Sequence, residues 1–434
     1  MREAKDDLPH PLGEKIFGWL TDLYPVCRSI TGPGVRQTLS YLQGLLPDLK
    51  VLSVPSGSQA FDWTVPDEWS IREAWIEHED GTRVVDFANH SLHVVSYSQP
   101  QDRWLDREEL EKNLYSLPEQ PDAIPYVTSY YTPHWGFCLT DRQRQALRPG
   151  RYHVYIDSTL GPGSLNYGEL ILPGRQSEEV LLSTYICHPS MANNELSGPV
   201  TAAALGRWLS ALPDRRYTYR IVFVPETIGA IVYINRNLDI LKSKTVAGFV
   251  LTCMGDERAY SLVPSRLDGT LADRVARHVL RQVAPDYIEY SFLDRGSDER
   301  QYCSPGVDLP VCSIMRSKYG TFPEYHTSLD DLKFVSPKGL AQSYEIMRRC
   351  LETLEHNYCF RTTVMCEPQM GKRGLYPAVS ERGSYDPDTR LLKDVLAYCD
   401  GKHDVIALAE RLDRSASEVF KACRRLETAG LLSK

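Results

Sequence analysis

Four segments in the middle of this chain are apolar almost without interruption. They are Glu179-Val-Leu-Leu-Ser-Thr-Tyr185, Tyr219-Arg-Ile-Val-Phe-Val-Pro225, Val246-Ala-Gly-Phe-Val-Leu-Thr252 and Leu309-Pro-Val-Cys-Ser-Ile-Met315. A strand with one wet face alternates apolar and polar residues, whereas a continuous run is buried on both faces. Helical patterns separate the runs, beginning with Gly198 to Leu212 and its Ala202-Ala-Ala-Leu205 stretch. This rhythm predicts an α/β fold: a mixed, mostly parallel sheet covered by helices on both faces.

The flanks differ. Two helices are expected first, Pro11 to Leu23 and Val35 to Leu46, joined by the turn Thr31-Gly-Pro-Gly34. From Val51 to Gly150, short β-rich runs (Val84–Phe87, Leu92–Tyr97, Tyr126–Tyr131, Trp135–Leu139) alternate with Pro, Gly and Asn. A long helix from about Lys338 to Tyr358 follows the last apolar strand. The tail reads as three helices, Leu391–Cys399, Val405–Leu412 and Ser415–Ala429. Ser415 and Glu418 form a capping box there, and Gly430 is a stop. The expected organisation is an α/β domain from residues 1–50 and 151–365, an inserted β-rich domain 51–150, a linker 366–388 and a winged-helix domain 389–434.

Composition narrows the function classes. Of 434 residues, 49 are Lys or Arg and 57 Asp or Glu, giving −8. That balance argues against nucleic acid or an anionic membrane as the main partner. The sequence holds no run of about 18 apolar residues, the length needed to span a bilayer, and Met1-Arg-Glu-Ala-Lys lacks a signal-peptide pattern. Eleven cysteines without a CxxC pair read as reduced thiols in a cytoplasmic protein.

Three places where apolar strands end carry chemistry. His188 and Glu195 lie in Ile186-Cys-His-Pro-Ser-Met-Ala-Asn-Asn-Glu-Leu-Ser-Gly198, past the C-terminal end of a buried strand. Open α/β sheets bind ligands at that edge. Glu226, after Val222-Phe-Val-Pro225, is placed to be partly desolvated and to act as a general base. His326 follows the strand near Met315, with Asp330 and Asp331 as supporting carboxylates. Taken singly, each has a structural reading: a satisfied histidine, a helix cap, a Glu answering a helix dipole. Three such loops on one edge predict a shared metal site. Trp63, Trp69, Trp75, Tyr130, Tyr131 and Trp135 read as core or interface, with a sugar platform as the alternative. Cys187 reads as a buried apolar residue rather than a nucleophile, and Gly161-Pro-Gly163 as a turn.

The order His188, Asn194-Glu-Leu-Ser-Gly198, Glu226, Gly296-Ser-Asp-Glu299 and Tyr325-His-Thr-Ser-Leu-Asp330 resembles the zinc aminopeptidase superfamily, which also contains glutaminyl cyclases. More narrowly, the chain resembles bacterial aminopeptidase-like proteins with an inserted β-domain and a C-terminal winged helix. Leu23-Tyr-Pro-Val-Cys-Arg-Ser-Ile-Thr-Gly32, Phe61–Pro66, Cys187–Gly198 and Cys366–Tyr376 carry that match. Where the superfamily has a bridging Asp, this chain has Asn194. Its Glu-Glu pair is Glu226-Thr227 here, and its strand-end Asp is Thr252, with Asp256 four residues on. Loss of these carboxylates implies one zinc ion per chain, held by His188, Glu195 and His326, with Glu226 as the catalytic base toward water. Asp256, Arg295, Asp298, Asn194 and Tyr325 are then substrate contacts or alternative ligands.

The expected function is a zinc-dependent amide or peptide hydrolase removing an aminoacyl group from a small peptide or conjugate. Rivals are a degenerate peptidase serving as a transcription-linked sensor, and an N-deacylase or cyclotransferase on the same metal. The tail weakens the sensor reading. From Leu391 to Lys434 there are eight Lys/Arg and seven Asp/Glu, a net of +1. Homo-oligomer contact through this domain is expected ahead of DNA binding.

Overall fold

A computed structural model of the chain describes residues 10–375 and 386–434. The Met1–Pro9 segment read for targeting signals and residues 376–385 of the expected linker lie outside the described residues. The chain divides into two compact units. One holds the residues up to Asp273 with Tyr287–Glu345; the other holds Arg274–Asp286 with Ile346–Lys434.

The first unit is built on eight strands: β1 (Lys50–Pro55), β2 (Ser164–Leu172), β3 (Glu179–Tyr185), β4 (Thr218–Val224), β5 (Thr245–Leu251), β6 (Ser261–Val263), β7 (Ile288–Glu289) and β8 (Val311–Met315). Their order is β1-β2-β4-β3-β5-β8-β6-β7. The central four, β4-β3-β5-β8, are mutually parallel and coincide with the four apolar runs. The β1–β2, β2–β4 and β6–β8 pairs are antiparallel. Every residue of β3 is buried, as a strand covered on both faces requires. Helices α1 (His10–Leu23) and α2 (Pro33–Leu45) precede the sheet; α3 (Ser197–Ala211) and α4 (Ile228–Lys244) are the crossovers after β3 and β4. A Cβ on Gly198 would stand 2.3 Å from the Leu251 carbonyl oxygen, so only glycine lets α3 start this close to the sheet. Because the central strands run parallel, the loops after β3, β4 and β8 all leave from one edge.

A second, antiparallel sheet in this unit has the strand order Arg83–Asp86, Glu68–His78, Arg151–Gly161, Gln101–Asp106. Alternate residues face its core: Ala74 and Ile76 from one strand, Val154 and Ile156 from the next. Trp69 and Trp135 are buried, while Trp75 is flanked by Tyr155 and the Arg83 guanidinium. Trp63 and Tyr131 meet edge to face at 5.7 Å and remain partly exposed. Two expected strands do not form. Ser91–His93 is a 3-10 turn, and Leu92–Tyr97 and Tyr126–Tyr131 are held only by isolated bridges such as Ser96 to Thr128. Tyr97 stands at φ 68 and the Ser98 hydroxyl takes the Val95 carbonyl, so no ladder can extend.

The second unit contains helices α5 (Pro387–Tyr398), α6 (Val405–Leu412) and α7 (Ala416–Thr428). A three-stranded antiparallel sheet completes it, in the order Asp400–Asp404, Cys359–Thr362, Leu432–Ser433. This is a winged helix whose middle strand comes from upstream of the expected linker. Phe360, Leu392, Val395, Leu408, Val419 and Leu426 form its core. Among the described residues, no helix is long and apolar enough to cross a membrane.

Candidate active site

Each loop at the sheet edge is bent away from ordinary backbone geometry. After β3 the chain passes His188 and Ser190 (φ 44) into a wide helical turn, Ala192–Leu196, that opens α3. After β4, Thr227 sits at φ 64 and ψ −81. The Ile228 N–H donates to the Glu226 carbonyl at 2.8 Å, closing a γ-turn of the strained, positive-φ hand around Thr227. After β8, the loop brings in His326 at φ 57. Side chains held in this region cost of order 1–3 kcal/mol each and persist only where their surroundings enforce them. Asp330 is one enforcer. It accepts the Asn193 and Asn194 backbone N–H groups at 2.6 and 2.8 Å, tying the His326 loop to the His188 loop.

His188 stands between two carboxylates. Its Nδ1 is 2.8 Å from Glu195 Oε2, and its Nε2 is 3.5 Å from Glu226 Oε2. The His326 ring lies 5.2 Å from the His188 ring, centroid to centroid, and its buried Nε2 has no partner. Tyr126 covers both imidazoles, 5.1 Å from one and 5.2 Å from the other. Behind Glu195 lies Arg28, fully buried, with Nε 3.5 Å from Glu195 Oε1. Arg28 also donates to the His188 carbonyl at 3.0 Å and the Leu23 carbonyl at 2.8 Å.

The other expected site residues are placed as follows. Asn194 donates to the Tyr185 hydroxyl at 2.7 Å, and its Oδ1 is buried without a partner. Asp298 accepts the Thr227 N–H at 2.8 Å through Oδ1, leaving Oδ2 unpartnered. Tyr325 stacks on His326 at 3.9 Å. Asp256 is not brought to the imidazoles. It is spent on the Ser317 N–H and hydroxyl, the Arg258 N–H and the Asn193 amide. Arg295 lies exposed over the Phe292 ring. Arg300 does reach in, donating to the Thr227 hydroxyl at 2.6 Å. Arg28, Tyr126, Tyr185 and Arg300 were not singled out from the sequence. Only the Leu23–Gly32 motif, which contains Arg28, held a signal.

Burial dominates the electrostatics. It pushes Glu195 up to about 8, against the pull of Arg28. Glu226 is raised well above the usual carboxylate range by burial and then by Asp298, itself pushed by burial to about 7. Burial, followed by the Arg28 charge, lowers His188 to about 3; burial and then His188 do the same to His326. Neutral imidazoles keep a lone pair for a ligand, and buried carboxylates that resist ionisation favour a cation. The donor set therefore fits a divalent ion, with the orphaned His326 Nε2 as the clearest vacancy in the hydrogen bonding. Among the described residues, Cys187, His188 and Glu195 also offer ligand atoms within 4.8 Å of one another.

The comparisons agree with this architecture. Residues 17–357 match the family described as a domain of unknown function (DUF4910), and residues 357–434 match a winged helix-turn-helix. The chain is 42% identical over 398 residues to a Clostridium acetobutylicum protein provisionally named a polysaccharide biosynthesis protein with aminopeptidase-like domain. That match covers 92% of this chain and 91% of the relative. A crystal structure from the same organism, provisionally named a peptidase, superposes with a TM-score of 0.92 at 39% identity, covering 98% of this chain and 97% of that one. BSAP, a zinc aminopeptidase from Bacillus subtilis, gives a TM-score of 0.57 at 12% identity over 80% of this chain and 96% of its own, a likeness of fold. The chain belongs to the DUF4910 family, with the aminopeptidase-like fold and a C-terminal winged helix-turn-helix.

Proposed function

We propose that the protein is a metal-dependent amide or peptide hydrolase that removes an aminoacyl group from a small peptide or conjugate. The observation that carries this reading is His188, flanked on its two nitrogens by Glu195 and Glu226 and faced by the unpartnered His326. His188 and His326 would hold a zinc ion. When bound, the ion supplies Lewis acidity at the scissile carbonyl.

The chain's own residues divide the remaining work. A proton carrier must meet substrate and water, and the two carboxylates differ there: the Glu226 side chain is 17% exposed and that of Glu195 is 0%. Glu226 therefore takes the proton from the attacking water and returns it to the leaving amine. Burial first, and then Asp298, raise its pKa above the usual carboxylate range, which makes it a stronger proton acceptor. Asp298 and Arg300 fix the Thr227 turn that aims it. Tyr126, packed over both imidazoles, limits the access of bulk water to them. The name of the C. acetobutylicum relative supports a conjugate of polysaccharide biosynthesis as substrate. The near-neutral tail favours contact with a second copy of the chain over DNA.

The test combines zinc analysis of the purified protein with hydrolysis of a panel of aminoacyl amides. His188→Ala and His326→Ala are expected to lower zinc content severalfold. Glu226→Gln should keep zinc and lose turnover. Zinc-loaded protein that hydrolyses no aminoacyl amide would end the hydrolase reading; zinc loss in Glu226→Gln would make Glu226 a ligand.

A further inference from the structure

We infer that Arg28 and Glu195 are a buried positioning pair rather than part of the metal's ligand set, and that the ion belongs on the Nε2 side of His188. This rests on the metal-dependent reading above and reassigns Glu195, which the sequence pattern makes a ligand.

Glu195 is already committed. One carboxylate oxygen meets His188 Nδ1 at 2.8 Å and the other faces Arg28 at 3.5 Å, and neither Arg28 nor Glu195 exposes any side-chain surface. A guanidinium does not give up its proton in proteins. That fixed cation stands 3.5 Å from the Glu195 carboxylate and is itself tied to the His188 and Leu23 carbonyls, so it holds the carboxylate in place against His188. In this pairing the carboxylate oxygen accepts from Nδ1–H, the usual arrangement behind a metal-binding imidazole, and Nε2 keeps the lone pair.

Charge then decides between the two sides of the ring. On the Nδ1 side, Cys187 and Glu195 could approach an ion, but it would lie beside the Arg28 cation in a desolvated pocket, where like charges repel strongly. Cys187 is also occupied there, its sulfur accepting the Glu226 N–H at 3.2 Å. On the Nε2 side stand Glu226 and the His326 ring, and Arg28 is screened behind Glu195. Two imidazoles sharing one tetrahedral ion stand about 5 Å apart, centroid to centroid, which the 5.2 Å separation satisfies.

Nitrogen-15 spectra of the histidine rings in metal-free full-length protein test the tautomer directly. His188 should show a protonated Nδ1 and an unprotonated Nε2, and zinc should shift Nε2. Competition with a chelator measures zinc itself. Glu195→Gln should still bind one zinc ion per chain, about 10–100-fold more weakly. Arg28→Lys should recover much of the affinity that Arg28→Met loses. An unprotonated Nδ1 in the wild type, or Glu195→Gln with either unchanged affinity or no zinc at all, would overturn the assignment. Wild-type protein that binds no zinc yet shows the Nδ1–H tautomer would defeat the metal reading while upholding the positioning pair.

Discussion

In the C-terminal unit, the helix starts are answered by side chains. Asp386 accepts from the Thr389 N–H, Asp404 from Ala407 and Ser415 from Glu418. Its positive-φ side chains, Cys366 and Asp413, lie in exposed turns. Among its described residues, no buried side-chain nitrogen or oxygen lacks a partner. At the sheet edge the pattern reverses. Ser190, Thr227, Cys253 and His326 are held at positive φ, and Asn194 Oδ1, Glu195 Oε1, Asp298 Oδ2 and His326 Nε2 are buried without hydrogen bonds. Local rules agree with the fold in one region and are broken in concert in the other. Such concentrated conflict marks the place that chemistry, not stability, has shaped.

The largest expected effect exploits that contrast. Glu226→Gln should cost on the order of 10²–10⁴ in turnover yet leave the melting temperature unchanged or higher, since it replaces a buried ionisable carboxyl beside Asp298 with a neutral amide of the same size. Thermal melting alongside kinetics checks it; a melting temperature lowered as by a core truncation would erase the distinction between the regions. Ser415→Ala should do the opposite, losing about 1 kcal/mol through its N-cap, with zinc content and turnover untouched. Calorimetry of the full chain resolves the two.

A smaller effect is expected with pH. The Ala416 N–H donates to His278 Nε2 at 3.0 Å, so that ring must be neutral, and burial lowers its pKa from the ordinary 6.5. Above 6.5 both folded and unfolded chains carry neutral imidazole, and the contribution is fully present. As pH falls below 6.5, the unfolded chain takes up its proton first and stability declines until the folded pKa is passed. Comparing melts of wild type and His278→Gln between pH 7.5 and pH 5 isolates this term. Parallel curves would show that His278 does not carry it.

Legibility in the sequence followed the same divide between local and distant causes. The strand Glu179–Tyr185 matched its expected bounds because burial on both faces writes itself into every position. The α7 cap was readable because Ser415 and Glu418 are three residues apart. By contrast, Leu92–Tyr97 looks like a strand by composition, and only the Tyr97 backbone and the Ser98 hydroxyl reveal that it is not. His188, Glu195, Glu226 and His326 were selected as strand-end residues, and the fold brings them together. Arg28 could not be read that way, since it meets the His188 carbonyl 160 residues along the chain. Nor could Asp256, whose chemistry suits a ligand but whose oxygens are consumed by Ser317 and its neighbours.

The bridge from Asp330 to the Asn193 and Asn194 amides has a consequence for how the molecule is made. Those partners are 137 and 136 residues apart. At about 5–20 residues per second, a ribosome needs roughly 7–30 s between delivering one side of the bridge and the other. Throughout that interval the nascent chain holds His188, Glu195 and Arg28 without His326 or the carboxylate that pins their loop. The His326 half of the site is therefore supplied last, and the arrangement of both imidazoles is complete only when that loop leaves the exit tunnel.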